Sequence, residues 1–540
     1  MGLLDCGGFR QRLRFAAAIA PRCARATGLC AAVLVSGCAV GPDFESPPPP
    51  DITRYTDSKL PAATASSETQ GGEAQYFSFG RDLPGEWWRL YHSRHLNRLI
   101  ERAIAENANL QAAQLTLRQA QENAAAQAGT LLPTVDLNGS GARQQISPAQ
   151  FGGSGPPLLF NLFNATVNVS YTLDVWGGKR RALEASQAQA DYQRFQVEAT
   201  FLTLTANVVT TAIQEASLRG QIQATQEIIK GQTDQLDVLR GQFNLGGVSR
   251  SDVLAQEADL AATQATLPPL EKQLEQQRSL LATLTGRFPI AADREAFTIA
   301  SLTLPRNLPI NLPSRLVQQR PDLRAAEEQL HQASANVGVA IANLLPQFNI
   351  TGDYGSSALK FTNLFSPGTA VWSVGGSIAQ PLFHGGTLLH QKEAAIAAFE
   401  AAKAQYRDTV LNAVRNVSDS LRAIQKDAVA LQAQERAART ANDSLALARE
   451  QFKAGAITYL TLLNAQRTQQ QALIGLVQAQ AARYADTAAL FQSLGGGWWN
   501  RQDVAPPPCP LLQLGEGKSS CSPPLAGAGK IKATAAAGQG

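Results

Sequence analysis

The body of this chain contains no cysteine, and the chain has few aromatic residues. All six cysteines of the 540 residues lie near the two ends, and none occurs between Cys38 and Cys509. The sequence therefore excludes a disulfide framework or a cysteine metal site in the body, although Cys509 and Cys521 could pair. Aromatic residues make up 6% of the chain against 44% apolar residues, which is lean for large globular cores. Alanine and glutamine dominate instead, as in long helices.

The chain also lacks an excess of positive charge outside its first residues. Of 47 Lys and Arg and 43 Asp and Glu, five arginines and one aspartate lie within residues 1–37. The remainder holds 42 basic and 42 acidic residues. A neutral body offers no electrostatic surface for a polyanion, so we expect no nucleic-acid partner.

Motifs for catalysis are missing as well. The sequence shows no glycine-rich phosphate loop and no nucleophile elbow. His92 and His95 could share one helical face, but no third ligand stands out, so we interpret them as a surface pair. Glu327, Glu328 and Asp408 are interpreted as carboxylates on solvated helix faces. We therefore expect a protein that is not an enzyme and uses no metal or cofactor.

The N-terminus has the pattern of a secretory signal. Residues 1–37 hold an arginine-rich start and an apolar run from Leu29 to Val35, which is too short to span a membrane. The residues before Cys38 resemble a bacterial lipobox, which implies a diacylglycerol and an N-acyl chain on that cysteine. Ala39 in place of aspartate implies sorting to the outer membrane. An ordinary signal peptide with a chance cysteine is the alternative. Proline-rich and Ser/Thr-rich stretches to about residue 80 predict a surface tether.

Two long helices organise the rest. Residues 177–243 contain no proline and would form a helix about 100 Å long. Their apolar and small residues alternate three and four apart, which is typical of a coiled-coil seam. Residues 386–453 predict a second such helix. The first seam comprises Ala182, Ala185, Ala188, Tyr192, Phe195, Ala199, Leu202, Ala206, Val209, Ile213 and Ala216, and the second comprises Val410, Val414, Val417, Leu421, Ile424, Ala428 and Leu431.

Four amphipathic strands accompany these helices. Residues 164–175 alternate strictly between apolar and polar side chains, which indicates a strand with one face for lipid and one for water. Val135 and Leu137 begin a similar strand, and residues 147–160 between them predict an exposed loop. Two further strands are predicted at residues 347–354 and 372–378.

The pattern occurs twice in the chain. Leu344-Leu345-Pro346 lies 213 residues after Leu131-Leu132-Pro133, and both copies place two strands before a long helix. The repeats span residues 94–286 and 314–497, joined by residues 287–313, and a tail from 498 to 540 predicts disorder. Shorter helices are predicted at 94–131, 251–286, 314–344 and 458–494, and Pro268-Pro269 is expected to break or kink the second of these.

Four amphipathic strands cannot stand alone in a membrane, because every edge amide there must be paired. Two copies would give eight strands, which fill their own barrel, whereas three would give twelve and begin to leave a lumen. A water-soluble helical protein with incidental hairpins, or a structural envelope lipoprotein, would not need this alternation.

Five motifs occur in an order that identifies a resemblance. They are residues 38–44 (CAVGPDF), Trp87-Trp88 followed by residues 96–100 (LNRLI), residues 174–177 (DVWG), residues 320–324 (RPDLR) and residues 381–386 (PLFHGG). The chain resembles the TolC-like outer-membrane factors, particularly the NodT-type efflux lipoproteins.

The resemblance implies a membrane protein of helices and strands: a homotrimer with a twelve-stranded transmembrane β-barrel, four strands per chain, continuous with a long periplasmic coiled-coil tunnel. It implies an equatorial region from residues 38–93 and 287–313, and partnership with a periplasmic adaptor and an inner-membrane pump. We expect passive efflux of drugs or other small molecules. An outer-membrane conduit for type I protein secretion is the alternative.

The same resemblance implies two sites at the helix ends. Two tips would dock an adaptor hairpin, although glycine there is also explained by helix capping alone. Asp252 matches an Asp that latches the closed entrance in relatives, but Phe452 and Ile457 replace its partners, so Arg250 is hypothesised as a substitute. The tips comprise Gly246, Gly247, Val248, Gly455, Ala456 and Ile457, and the gate comprises Asp252, Thr461, Asn464 and Arg467, a ring less acidic than usual.

Overall fold

The computed structural model describes residues 39–291 and 295–501. The signal peptide, Cys38 and the tail beyond residue 501 lie outside the described residues. The disorder predicted from residue 498 is wrong at its start, since Trp498–Asn500 form a short 3-10 helix and Trp498 Nε1 donates to the Gln319 carbonyl at 2.6 Å. The helices are α1 (Arg94–Glu106), α2 (Ala108–Gly129), α3 (Gly178–Asn244), α4 (Arg250–Leu284), α5 (Pro313–Gln319), α6 (Pro321–Ala342), α7 (Thr387–Lys453) and α8 (Tyr459–Ser493). The strands are β1 (Tyr76–Phe79), β2 (Thr134–Ile146), β3 (Leu158–Leu173), β4 (Asn307–Ile310), β5 (Gln347–Ala358) and β6 (Ala370–Ala379).

The two long helices confirm the prediction from the heptad pattern. α3 and α7 each have 67 residues, which corresponds to about 100 Å. Each follows a glycine with positive φ, Gly177 at 76° and Gly386 at 85°, where other residues would be strained. Most of both predicted seams is buried, from Ala185 to Ala216 in α3 and from Val417 to Leu431 in α7.

Strands and helices continue each other in the same lateral order. The sheet has the antiparallel order β2-β3-β5-β6. Below it α2 packs on α3, α3 on α6, and α6 on α7. Each strand is therefore one half of a strand-and-helix unit, and the chain places four such units side by side. In the lower half, α4 and α8 pack on α3, and α8 also packs on α7.

The hairpin between β2 and β3 is longer than the sequence predicted. The predicted loop 147–160 is wrong only for its last three residues, since β3 begins at Leu158. The ladder runs from Thr134–Ser170 to Ile146–Leu158 without a change of register. The glycines and prolines that suggested a loop are confined to the turn, and the apolar residues after them complete the ladder.

Two helices predicted as continuous are each divided by one residue. Asn107 separates α1 from α2, and its side chain accepts a hydrogen bond from the Leu110 amide at 3.0 Å, which starts a new helix. Arg320 separates α5 from α6 because it precedes Pro321, and a residue before proline disfavours the helical region; its φ and ψ are −83° and 127°.

Of the break or kink predicted at Pro268-Pro269, the break is wrong, because α4 runs through both prolines. The two prolines leave the carbonyls of Gln264 and Ala265 without helical donors. Both of these residues are exposed, so water can reach their carbonyls. No α4 residue between Thr263 and Leu274 is fully buried, and the helix is held by its packing on α3 on either side.

Between the two helical halves lies an aromatic core that periodicity did not predict. Trp87, Trp88 and Tyr91 are almost fully buried and pack with Phe201 and Tyr484. β1 pairs in parallel with β4, so the segment after the N-terminus is bound to the segment that joins the repeats. Together these form the middle region of the molecule.

His92 and His95 do not form the predicted surface pair. His92 lies outside α1 with a positive φ of 50°. His95 is 9% exposed, contacts Glu295 at 2.7 Å and packs on Phe297. The pair therefore has no shared helical face.

No helix among the described residues combines the length and the apolarity needed to cross a membrane.

Candidate functional site

The two helix tips are closed by glycines in the left-handed conformation. Gly246 has φ 79° and Gly455 has φ 71°. In each turn the next amide bonds back into the helix, from Gly247 to the Gln242 carbonyl at 2.8 Å and from Ala456 to Gln451 at 2.8 Å. A Cβ at either glycine would meet no atom within 4 Å. Backbone conformation, and not crowding, therefore requires glycine at these positions.

The tips combine an anchored apolar base with an exposed end. Val248 and Ile457 pack against a buried cluster that joins the lower ends of the helices. Leu245, one residue before Gly246, is 89% exposed, and Leu460 is 62% exposed. The predicted tip residues thus lie together at the end of a rigid base. The cluster comprises Leu236, Leu239, Val253, Leu260, Leu445, Ala448, Tyr459, Leu462 and Leu463.

Asp252 has a structural role at the first tip. Its carboxylate accepts hydrogen bonds from the Ser249 amide at 3.1 Å and the Ser249 hydroxyl at 2.7 Å, and the Asp252 amide donates back to the Ser249 hydroxyl at 3.2 Å. This capping box starts α4. The ion pairs of the described residues do not join Arg250 to Asp252, so the hypothesised substitute latch is wrong for this structure.

A different acidic residue links α4 to α8. Asp259 is 4% exposed and accepts from Arg467 Nε at 2.7 Å and from Gln232 Nε2 of α3 at 2.7 Å. Arg467 was among the predicted gate residues, whereas Asp259 was missed. Its only sequence signal is a spacing of one heptad after Asp252, on the same side of the helix.

The remaining gate residues lie beside this link. Thr461 and Asn464 are exposed one turn apart on α8, and the Thr461 hydroxyl bonds with that of Thr458 at 3.1 Å. The buried hydroxyl of Tyr459 donates to Gln256 of α4. Burial, with the nearby charge of Asp259, raises the pKa of Tyr459 well above its usual value, so the hydroxyl stays a donor. We call the contacts made by Asp259, Arg467, Gln232, Tyr459 and Gln256 the entrance network.

Above the entrance network a groove separates α4 from α8. Its volume is about 880 Å³, and its floor is formed by Gln221 and Thr225 of α3. Gln478 of α8 donates to Gln221 at 3.1 Å and closes the groove at its upper end. α4 and α8 have few close backbone approaches, and the entrance network is the polar connection between them beside the apolar cluster.

At the opposite end, the N-terminal segment is fixed where the strands meet the helices. The Val40 amide donates to the carbonyl of Trp176, between β3 and α3, at 2.9 Å. A Cβ at Gly338 would lie 2.8 Å from the Val40 carbonyl oxygen, so only glycine lets the segment pass this close to α6. Asp43 pairs with the buried Arg181 at 2.5 Å.

A histidine and an aromatic ring continue this attachment. Phe44 stacks on His331 of α6, with ring centroids 4.3 Å apart. Burial opposes protonation of His331, but hydrogen bonds and charge from Glu328 and Glu184 outweigh it and raise its pKa above the ordinary value. The first described residues are therefore held at the level where the sheet ends.

Among residues 39–291 and 295–501, no group of three or more His, Cys, Asp or Glu side chains is placed to hold a metal ion.

Comparisons with known proteins agree with this architecture. A family model described as outer membrane efflux protein matches residues 99–287 and 312–496. The chain is 31% identical over 433 residues to the pyoverdine export outer membrane protein OpmQ of Pseudomonas putida, covering 79% of this chain and 92% of that protein. It is 25% identical over 472 residues to nodulation protein T of Rhizobium leguminosarum bv. trifolii, covering 86% and 96%.

A solved structure extends the agreement to three dimensions. The outer-membrane channel OprN matches with a TM-score of 0.77 at 27% identity, covering 85% of this chain and all of that chain.

Proposed function

The chain belongs to the outer membrane efflux protein family, and we propose that three copies form one continuous conduit of a tripartite efflux system. It is an outer-membrane efflux channel with a large periplasmic part. The trimer is supported by the two edge strands of the sheet, which, among the described residues, have no partner strand on their outer sides. We also propose how the chains assemble, which partners they bind and where a lipid anchors them.

The edges of the sheet belong to different repeats. β2 and β6 are the outer strands, and in the described part of the chain their outer sides pair with no other strand. Every residue of β6 is exposed, as are most residues of β2. In a membrane such amides must be paired, and β6 of one copy with β2 of the next satisfies both edges.

The helices below the sheet favour the same ring. α2 lies under β2 and α7 under β6, so pairing the strands also brings α2 of one copy against α7 of the next. α2 has only Leu110, Ala120 and Ala124 buried, and α7 has no buried residue before Ala402. These exposed helix faces lie directly beneath the unpaired strand edges. Closing the sheet therefore also closes the helices into a tube.

Three copies fit this ring better than two. Eight strands make a barrel filled by its own side chains, whereas twelve leave a lumen. The inward-facing residues near the helices are small and polar, for example Thr134 opposite Ser170 and Asn138 opposite Thr166. Such side chains suit a water-filled interior.

Small-molecule efflux is supported over protein secretion by the names of two relatives, which refer to export of pyoverdine and efflux of toluene. We propose that the tips bind the helical hairpin of a periplasmic adaptor and that an inner-membrane pump selects the substrate. The exposed Leu245 beside Gly246 offers an apolar contact for such a hairpin. The conduit itself is passive.

We further propose that Cys38 carries the diacylglycerol and N-acyl chains. Ala39 lies against Gly177, where a Cβ would come within 2.7 Å of it, at the junction of β3 and α3. A lipid on the preceding residue would then start at the periplasmic boundary of the barrel, within reach of the outer membrane. A Cys38→Ser variant should lose incorporation of labelled palmitate, while incorporation equal to the wild type would contradict the anchor.

Mass and conductance test the conduit. Purified full-length protein should have the mass of three chains by native mass spectrometry and should form ion-conducting channels in planar bilayers. A single-chain particle would contradict the trimer. Deletion of the gene should increase susceptibility to drugs without abolishing secretion of a protein; the reverse result would favour type I secretion.

A further inference from the structure

The distal end of the β2–β3 hairpin has its polarity inverted relative to the rest of the sheet. The register is constant from Thr134–Ser170 to Ile146–Leu158, so no bulge changes which side a residue faces. Alternate residues along each strand therefore share one face for the whole length. The face that carries Asn168 and Ser170 near the helices carries Leu158, Phe160 and Leu162 at the far end.

The polarity of the side chains changes on both faces of the hairpin at the same level. On the inward face the pairs Asn138–Thr166 and Ser140–Asn164 give way to Ala142–Leu162, Gln144–Phe160 and Ile146–Leu158. On the outward face the pair Leu137–Val167 gives way, further along, to Arg143–Asn161 and Gln145–Leu159, in which three of the four side chains are polar. An outward face with arginine and asparagine suits water and not lipid tails. The far end of the hairpin therefore lies beyond the membrane.

The length of β3 agrees with this level. From Leu173 to Phe163 the strand rises about 33 Å along its own direction. At a tilt of about 45° this spans about 23 Å along the membrane normal, close to the apolar band of such barrels. Leu162 and the residues before it would then project into the exterior.

An apolar inward face that projects into water requires cover. Leu158 is 64% exposed in the single chain, and Phe160 and Leu162 are only partly buried. In a closed ring this face points at the axis, where the same face of the other copies lies. The second hairpin contacts this one on the outward side, where the ring centroids of Phe361 and Phe163 lie 5.8 Å apart.

We propose that Ile146, Leu158, Phe160 and Leu162 of three copies line the exit of the channel as an apolar collar around the axis. The inference rests on the proposed trimer. A hydrophobic constriction excludes water and hydrated ions more strongly than apolar solutes. The collar therefore makes the exit selective for apolar or amphipathic substrates and keeps hydrophilic molecules outside from entering the barrel.

Single cysteines locate the collar, because the body of the chain has none. In a background with Cys509→Ser and Cys521→Ser, the Leu162→Cys variant should be linked into pairs of chains by a bifunctional maleimide long enough to span the lumen. The matched Asn161→Cys variant, at the same height on the opposite face, should remain unlinked and react rapidly with a membrane-impermeant maleimide on whole cells.

A reporter below the collar tests what it does. Asn168→Cys lies on the inward face within the barrel and should react slowly with the impermeant maleimide. Adding Phe160→Asn and Leu162→Asn should accelerate that labelling several-fold while trimers persist. Unchanged labelling in intact trimers, or a Leu162→Cys variant that reacts like Asn161→Cys without linking, would overturn the collar. A single-chain particle would instead overturn the proposed assembly and the collar with it.

Discussion

The Asp259→Asn substitution should loosen the entrance. Asp259 is buried on α4 and accepts two hydrogen bonds at 2.7 Å, one from Arg467 of α8 and one from Gln232 of α3. Asparagine has the same size but no charge. Its side chain keeps one acceptor oxygen, so its NH2 group must face one of these two donors. α4 and α8 have few other close approaches, so this substitution weakens the polar connection between them.

The magnitude follows from the exposure of the two partners. A hydrogen bond to a charged group contributes about 1.5–3 kcal/mol when both groups are desolvated. The Arg467 side chain is 51% exposed, so water replaces much of what it loses, and the effect should be about 1–2 kcal/mol. Because 1.4 kcal/mol is a factor of ten in an equilibrium, the population with α4 and α8 separated should rise about tenfold.

Single-channel conductance in planar bilayers measures this population. The Asp259→Asn channel should spend more time in a higher-conductance state, and the Arg467→Gln channel should do the same. Combining the two should add little, because both remove the same contact.

Asp252→Ala is the matched control for the conductance measurement. It removes only the Asp252 half of the α4 capping box, leaves the Ser249 cap in place, and should leave conductance unchanged. Wild-type conductance in Asp259→Asn together with increased conductance in Asp252→Ala would refute this reasoning.

Two further predictions concern a helix tip and a buried carboxyl group. Gly455→Asn keeps a residue that tolerates positive φ. Weakened export with intact trimers in this variant would indicate that an adaptor docks at the tip. Normal export in Gly455→Asn, together with reduced stability in Gly455→Val, would indicate that this glycine only caps the helix. Burial and the neighbouring Asp486 raise the pKa of Asp427 from 3.8 to about 7, so the folded protein holds a proton that the unfolded chain releases. The unfolding free energy should therefore fall as pH rises from about 4 to 7. Asp427→Asn should remove this decrease and stabilise the protein at pH 8 by about 1–2 kcal/mol, as measured by thermal unfolding across pH, and an unchanged pH profile would contradict the assignment.

Periodicity predicted those parts of the fold in which one physical pattern extends over many residues. The seams of α3 and α7 repeat for many turns, and only a coiled coil buries such a stripe. Alternation in residues 164–173 likewise leaves one possible structure. Both patterns depend only on neighbours along the chain, which is why sequence alone suffices.

Features set by contacts between distant segments were missed. The pairing of β1 with β4 involves four residues on each side, too few for a period to be seen. The link from Asp259 to Arg467 depends on how two coiled coils are arranged, which no local pattern specifies. The break at Arg320 did have a local signal in the proline that follows it, but the prediction treated that stretch only as a family motif.

The strand pairing proposed between neighbouring subunits resembles a strand pairing within each subunit. β3, the last strand of the first repeat, pairs with β5, the first strand of the second. In the proposed ring, β6 and β2 of the next copy stand in the same relation: the last strand of one repeat beside the first strand of another. Six strand pairings of this kind would then close the ring. Residues 287–313 connect the two strands' repeats covalently in only three of them, the β3–β5 pairings within each chain. Two half-chains expressed separately could therefore assemble the same ring, because the tether supplies proximity and the strands supply the recognition.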